Sequence, residues 1–125
     1  MTNGNGNGNG GLAREGLSTS WLATRLGTQS ARVEAMRRSG ELLGVRVPGR
    51  QGHVYPAWQF GRDGKPLASV QMLIRTARAG GVGDEGLYRI LDMRTGLTGR
   101  RRVIDELRDG NDAPALRALS AASGR

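Results

Sequence analysis

Hydrophobic residues near the start of the chain are spaced as in a short helix. The segment begins at residues 18–20, whose serine and threonine side chains are favourable N-caps, and it ends at Gly27, which favours helix termination. Its apolar face is formed by Trp21, Leu22, Ala23 and Leu26. The pattern therefore predicts a first helix between these two signals.

A second short helix is predicted directly after the first. Residues 28–30 provide a new start, Val33 and Met36 provide a buried face, and Gly40 ends the segment. Two short helices separated by a glycine-containing turn of this kind are typical of a helix-turn-helix.

The hydrophobic spacing then changes from helical to alternating. Leu43, Val45 and Val47 alternate with Gly44 and Arg46, which predicts a strand. Residues 48–52 have the composition of a turn, and residues 53–55 return as a second strand that Pro56 closes. A β-hairpin with a basic tip, directly after a helix-turn-helix, is typical of a wing.

The chain beyond residues 61–64 has helical spacing throughout. The first predicted helix of this region ends at residues 80–81, and the second begins at residues 84–85. The third follows a loop over residues 95–99 that Leu97 anchors, and the fourth begins at Asp112. Their apolar positions are Leu67, Val70, Leu73, Ile74, Ala77, Leu87, Ile90, Leu91, Val103, Ile104, Leu107, Leu116 and Leu119.

These patterns predict a mainly α protein in three parts. Residues 1–11 form a Gly/Asn repeat that we expect to be a disordered tail. Residues 12–60 are predicted to form a winged helix-turn-helix with a short β-hairpin wing, and residues 61–125 a small helical bundle. The aromatic segment at residues 55–60 is predicted to be a hinge whose rings fill the space between the halves, the alternative being stacking on a nucleic-acid base.

Composition excludes several classes of protein. The chain has no cysteine, which excludes disulfides and thiolate-bound metals, and it contains no apolar run long enough to span a membrane. No signal-peptide pattern is present either, so we expect a cytoplasmic, nucleoid-associated protein without a membrane partner.

Charge narrows the choice of partner. The 125 residues carry a net charge of +8, which favours polyanionic partners. All but one of the 19 basic residues are arginine. Two explanations of this excess of arginine are equally good. One is a GC-rich genome, and the other is a functional demand for the guanidinium group, which contacts phosphates and guanine edges through two hydrogen bonds.

The predicted helix-turn-helix contains the best candidates for DNA contact. The second helix of such a motif enters the major groove with its N-terminal side chains towards the base edges. Gln29 is suited to adenine and Arg32 to guanine, and we expect Gln29, Ser30, Arg32 and Arg37 to point outward. Phosphate contacts are predicted for Arg25, Arg38, Arg46 and Arg50. The full set of candidate double-stranded DNA contacts is Arg25, Thr28, Gln29, Ser30, Arg32, Arg37, Arg38, Arg46 and Arg50.

The densest cluster of charge lies later in the chain, at Arg100, Arg101 and Arg102. Positive charge is unfavourable at the N-terminus of a helix, which is the positive end of the helix dipole. We therefore expect the three arginines either to bind an anion or to lie in a solvated loop. Asp105 and Glu106 are close enough in sequence to neutralise part of the cluster.

Residues for catalysis or metal binding are scarce. His53 is the only histidine, the carboxylates occupy predicted cap positions or solvated faces, and no phosphate-binding loop is present. We therefore expect no enzymatic activity, no catalytic residues, no metal site and no cofactor, and we expect His53 to be an exposed strand residue.

Two family resemblances follow from these residues. Residues 22–27, Val33 and residues 38–42, followed by a hairpin, resemble the winged helix-turn-helix of the MerR and excisionase type. Residues 55–60 and 97–107, followed by a closing helix, are similar to the C-terminal region of Xre/MbcA/ParS-type antitoxins.

The second resemblance implies a DNA-binding domain joined to a helical domain that neutralises a toxin, often a RES-domain enzyme. It implies a homodimer or higher oligomer that represses its own operon. The segment from Leu97 onward then faces the toxin, which makes Leu97, Arg100, Arg101 and Arg102 candidate partner-binding residues. Two alternatives remain open: a toxin-neutralising protein with secondary DNA binding, and an excisionase-like architectural protein that bends DNA.

Overall fold

A computed structural model describes residues 16–123 as two compact units, divided between Pro66 and Leu67. The predicted Gly/Asn tail lies outside the described residues. The division falls six residues after the boundary predicted at Phe60, because the chain first closes a tight turn. In this turn the Gly61 N–H donates to the Lys65 carbonyl at 2.9 Å, and Phe60 is the bridge partner of Pro66.

The N-terminal unit, residues 16–66, combines a small sheet with two helices. Its elements are strand β1 (Gly16–Ser18), helix α1 (Thr19–Leu26), helix α2 (Ser30–Ser39), strand β2 (Val45–Arg46), strand β3 (His53–Pro56) and a 3-10 turn (Ala57–Gln59). Strand β3 is central and pairs antiparallel with β1 on one side and β2 on the other. Strand β1 is not predicted by the hydrophobic pattern, because three residues are too few to show alternation.

One hydrophobic core holds this unit together. Its buried members are Leu22, Ala23, Val33, Leu42 and Tyr55, with Leu17, Met36 and Phe60 packed against them. The aromatic segment, predicted to be a hinge, thus contributes the rings of Tyr55 and Phe60 to the core of this unit. Trp21 was predicted on the buried face of α1, but half of it is exposed.

The strand predicted over residues 43–47 is shorter than expected. Only Val45 and Arg46 pair with β3, and Gly44 is buried like its neighbours. A Cβ at residue 44 would lie 2.7 Å from Cε2 of Tyr55 and 2.9 Å from Cδ of Arg37. Glycine is required here because two side chains occupy the space of a β-carbon.

The C-terminal unit, residues 67–123, is mainly helical. Its elements are helix α3 (Ala68–Ala79), helix α4 (Asp84–Asp92), strand β4 (Arg94–Thr95), strand β5 (Arg101–Arg102), helix α5 (Val103–Arg108) and helix α6 (Ala113–Ser123). Helix α4 packs against the other three helices. The buried side chains are Val70, Leu73, Ile74, Ala77, Leu87, Ile90, Leu91, Val103, Ile104, Leu107, Ala115 and Leu119. All four predicted helices are present, and the described chain has the predicted mainly α character with a small antiparallel sheet.

Two predictions for this unit are wrong. The loop predicted over residues 95–99 is present at residues 96–100, between strands β4 and β5, but Leu97 lies fully exposed at its tip instead of anchoring it. Glycines with positive φ at positions 96 and 99 flank the tip and turn the chain (Gly96 86°, Gly99 66°). Leu116 is also exposed, since Ala115 and Leu119 form the buried side of α6.

A search of the described helices for one long and apolar enough to cross a membrane finds none.

Candidate nucleic-acid interface

Helix α1 begins and ends at the residues that the sequence predicts. The Ser18 hydroxyl accepts a hydrogen bond from the Trp21 N–H at 3.0 Å, which caps the N-terminus. At the other end Gly27 adopts a φ of 69°. The Gly27 N–H donates to the Thr24 carbonyl and the Thr28 N–H to the Ala23 carbonyl, which is the Schellman pattern. Three residues then separate α1 from α2.

Helix α2 is attached to the core by one face. Val33 is completely buried and Met36 is partly buried, whereas most of the other side chains face away from the core. Gly40 ends the helix with a φ of 89°, and the Glu41 N–H donates to the Met36 carbonyl at 2.8 Å. The predicted ends and buried face of α2 are therefore confirmed.

The predicted base-contacting residues at the start of α2 are accessible. Gln29, Ser30 and Arg32 are exposed, and Thr28 is half-buried in the preceding turn. Gln29 occupies the N-cap position, but its side chain makes no capping hydrogen bond. Its amide oxygen and nitrogen therefore remain available at the end of the helix.

Arg37 does not point outward as predicted. It is half-buried, its Nε is buried, and its Cδ lies beside Gly44. The prediction failed because the segment after α2 folds back against this side of the helix. Arg38 is exposed and lies 4.0 Å from Glu34 one turn earlier, a weak surface pair.

The β2–β3 hairpin presents two further arginines. Arg46 is exposed on β2 opposite His53, which is half-buried rather than exposed as predicted. Arg50 is exposed in the loop between the strands, where its N–H donates to the Val47 carbonyl at 3.1 Å.

Sequence reasoning missed the buried residue that supports this arrangement. Gln59 is 1% exposed. Its Oε1 accepts from the Leu43 N–H at 2.8 Å, and its Nε2 donates to the Leu43 carbonyl at 2.8 Å and to the Pro56 carbonyl at 3.1 Å. The amide thus substitutes for a strand partner and fixes the segment after α2. A single glutamine carries no sequence pattern that reveals this role.

Positive charge is unevenly distributed between the two units. The described N-terminal unit holds eight basic and three acidic residues, and the C-terminal unit nine basic and seven acidic residues. No ion pair with a described residue neutralises Arg25, Arg32, Arg46 or Arg50. The guanidinium of Arg25 lies instead over the Trp21 ring, 5.9 Å from its centroid.

Three of the nine arginines of the described C-terminal unit form ion pairs with acidic residues of the same unit, namely Arg78, Arg101 and Arg102. Arg78 binds both carboxylate oxygens of Asp84, with its Nε at 3.1 Å and its Nη2 at 2.9 Å. Arg102 contacts Asp92 at 3.1 Å and Asp105 at 4.0 Å. The prediction that Asp105 neutralises part of the cluster of Arg100, Arg101 and Arg102 is thereby confirmed.

Arg101 forms the tightest network in this part of the chain. It pairs with Glu106 at 2.6 Å and with Asp109. The hydrogen bond from Arg101, supported by one from Asn111, holds the pKa of Glu106 below its ordinary value of 4.5. Of the predicted partner-binding residues, only Leu97 and Arg100 remain exposed without an ion pair to a described residue.

Within residues 16–123 no group of three or more histidine, aspartate or glutamate side chains is placed to hold a metal ion.

Comparison with solved structures gives one neighbour. The chain is similar to the NMR structure of Rv2175c, with a TM-score of 0.71 and 24% identity, over 86% of this chain and 80% of that one. No family model matches the chain. No curated protein matches it either. At this identity the likeness concerns the fold alone.

Proposed function

We propose that this chain is a sequence-specific DNA-binding protein, a transcriptional regulator of antitoxin type. In this proposal the N-terminal unit is a winged helix-turn-helix, with α1 and α2 as its two helices and the β2–β3 hairpin as its wing. Gln29, Ser30 and Arg32 contact base edges from the start of α2. Phosphate contacts come from Arg25, Thr28, Arg38, Arg46 and Arg50.

One observation carries the proposal: five of the six arginines of α1, α2 and the hairpin are exposed, Arg37 being the exception, and four of these five lack an acidic partner within the described chain. Exposed cations of one sign repel one another, which opposes folding. Contact with DNA phosphates would remove that repulsion and release counterions. In the described C-terminal unit seven acidic residues balance nine basic ones, so less net positive charge remains there.

The experiment compares Arg32→Ala with Arg75→Ala in the full chain. Arg75 is an equally exposed arginine on α3 of the other unit, so the pair controls for the loss of one positive charge. Arg32→Ala should weaken binding to the protein's own promoter by about 1–3 kcal/mol and relax the base preference. Arg75→Ala should leave both unchanged.

The result that would overturn the base-reading role is equal behaviour of the two variants. Equal affinity of the parent protein for promoter and random DNA, with steep salt sensitivity, would instead favour the architectural, DNA-bending alternative.

A second candidate function rests on the exposed tip of the β4–β5 hairpin. Leu97 is fully exposed there beside Arg100. A fully exposed leucine at a hairpin tip is accessible to a partner protein, as a toxin-binding role of the C-terminal unit requires. Leu97→Ser should then abolish co-purification of a protein encoded beside this chain while DNA affinity is retained. A lone gene with no co-purifying protein would contradict this role.

A further inference from the structure

A small cavity opens on the N-terminal unit beside α1, outside the proposed base-contacting residues. It has a volume of about 240 Å³ and is lined by Leu17, Trp21, Arg25, Phe60 and Arg62, among others. All of these residues belong to a single compact unit. The volume is slightly below the roughly 300 Å³ at which small-molecule sites usually begin, so it suits a ligand of one or two rings.

The wall of this cavity contains an unusually exposed aromatic ring. Trp21 is 50% exposed, whereas the chain's other tryptophan, Trp58, is 9% exposed. An indole that is left half in water at the mouth of an apolar cavity provides a flat surface for stacking.

Two arginines line the same cavity. Arg25 lies over Trp21 with its guanidinium carbon 5.9 Å from the ring centroid, and Arg62 lies in the turn after Phe60. Neither arginine has an ion pair to a described residue. The neighbouring Asp63 carboxylate accepts the Lys65 N–H at 3.0 Å within its own turn.

We propose that this cavity is a binding site for a planar aromatic carboxylate. The ring of the ligand stacks beside Trp21 and Phe60 in the apolar part, and its carboxylate is held at the mouth by Arg25 and Arg62. Charge complementarity favours an anion over a neutral ring, and guanidinium groups match the planar geometry of a carboxylate through paired hydrogen bonds. The inference does not depend on DNA binding.

The test is a titration of the full-length, ¹⁵N-labelled chain with indole-3-acetate, followed by NMR. Indole-3-acetate should shift the Trp21 indole N–H and the backbone amides of Leu17 and residues 60–64 in a saturable manner. A ligand of about 13 non-hydrogen atoms is expected to bind with a Kd of about 1 mM or tighter. The Trp58 indole N–H serves as an internal reference.

Further titrations test whether the binding is specific. Indole-3-acetamide, the neutral analogue, should bind to the parent about tenfold more weakly than indole-3-acetate does. The Arg25→Gln and Arg62→Gln variants should bind indole-3-acetate about tenfold more weakly than the parent does. Arg46→Gln, which removes an exposed arginine of the same unit away from the cavity, should bind indole-3-acetate as the parent does.

Several results would overturn the proposal. These are the absence of saturable shifts, equal binding of acid and amide, or equal weakening by Arg46→Gln and Arg25→Gln. Shifts of the same amides on raising the protein concentration alone would assign the cavity to a second copy of the chain. Shifts on deleting residues 2–11 would assign it to the N-terminal segment of the chain itself, and either assignment contradicts a ligand site.

Discussion

At the scale of single residues, Gln59 is a buried polar residue whose side-chain oxygen and nitrogen are both hydrogen-bonded to the backbone. Its amide forms hydrogen bonds to both backbone groups of Leu43 inside the N-terminal unit. Gln59→Leu keeps the side-chain volume similar but removes three hydrogen bonds to the backbone, two at Leu43 and one at the Pro56 carbonyl. A buried backbone group left without a partner costs about 1–3 kcal/mol. We expect the free energy of unfolding to fall by about 2–4 kcal/mol in urea denaturation.

The matched control is Gln51→Leu in the exposed loop of the β2–β3 hairpin. An exposed substitution of this kind should change the free energy of unfolding by less than about 0.5 kcal/mol. Similar losses for the two variants would show that the Gln59 hydrogen bonds do not stabilise the unit.

Glu106 is the residue whose titration connects stability to pH. Its pKa is lowered in the folded chain, mainly by the Arg101 hydrogen bond. The ionised carboxylate therefore stabilises the folded state above its ordinary pKa of 4.5, and this contribution is lost as the pH falls through the lower, folded-state value. Glu106→Gln and Arg101→Gln should both reduce the loss of thermal stability on acidification below pH 4.5.

Arg100→Gln is the control for this prediction, because Arg100 is the neighbouring exposed arginine without a described ion pair. Melting temperatures measured across the acid range should follow the parent curve for this variant. A parent-like curve for Glu106→Gln would show that the Arg101–Glu106 pair makes no contribution to stability.

At the scale of elements, the turn between α1 and α2 depends on one backbone conformation. Gly27 has a φ of 69°, and no atom lies within 4 Å of the position of an added Cβ. Gly27→Ala therefore introduces backbone strain without a clash, and we expect a loss of about 1–2 kcal/mol in urea denaturation. Gly27→Asn should lose less, because asparagine tolerates the left-handed region. Equal losses for both variants would contradict this explanation.

The elements that the sequence predicts are those whose ends are determined by residues close by in the chain, such as caps and helix-ending glycines. Ser18, Gly27 and Gly40 act on residues within one turn of them, so the ends of α1 and α2 follow from neighbouring residues alone. Strands β1, β4 and β5 contain only two or three residues each. Such strands are held by partners distant in sequence or by turn geometry, which no hydrophobic periodicity records.

The candidate site was predictable to a similar extent. Val33 marks the inner face of α2, so the exposure of Gln29 and Arg32 follows from helical periodicity. The position of Arg37 does not, because it depends on the segment around Gly44 folding back against the helix. Leu97 is predicted to anchor its loop because it is hydrophobic, whereas the tight turn at the hairpin tip places it in solvent.

At the scale of the whole molecule, the two units differ in their balance of basic and acidic residues. The described N-terminal unit holds eight basic residues against three acidic ones, whereas the C-terminal unit holds nine against seven and pairs three of its arginines with acidic residues. This difference is the basis of the central claim that the N-terminal unit binds duplex DNA and recognises its sequence.

That claim is tested most directly by the affinity of the full chain for a duplex from its own promoter, measured at several salt concentrations beside a scrambled duplex of equal length. We predict that the logarithm of the association constant falls linearly with the logarithm of salt concentration. Four or five phosphate contacts give a slope of about −4. The promoter duplex should bind about 1,000-fold more tightly than the scrambled duplex. Failure to bind either duplex, or binding that does not respond to salt, would contradict the account.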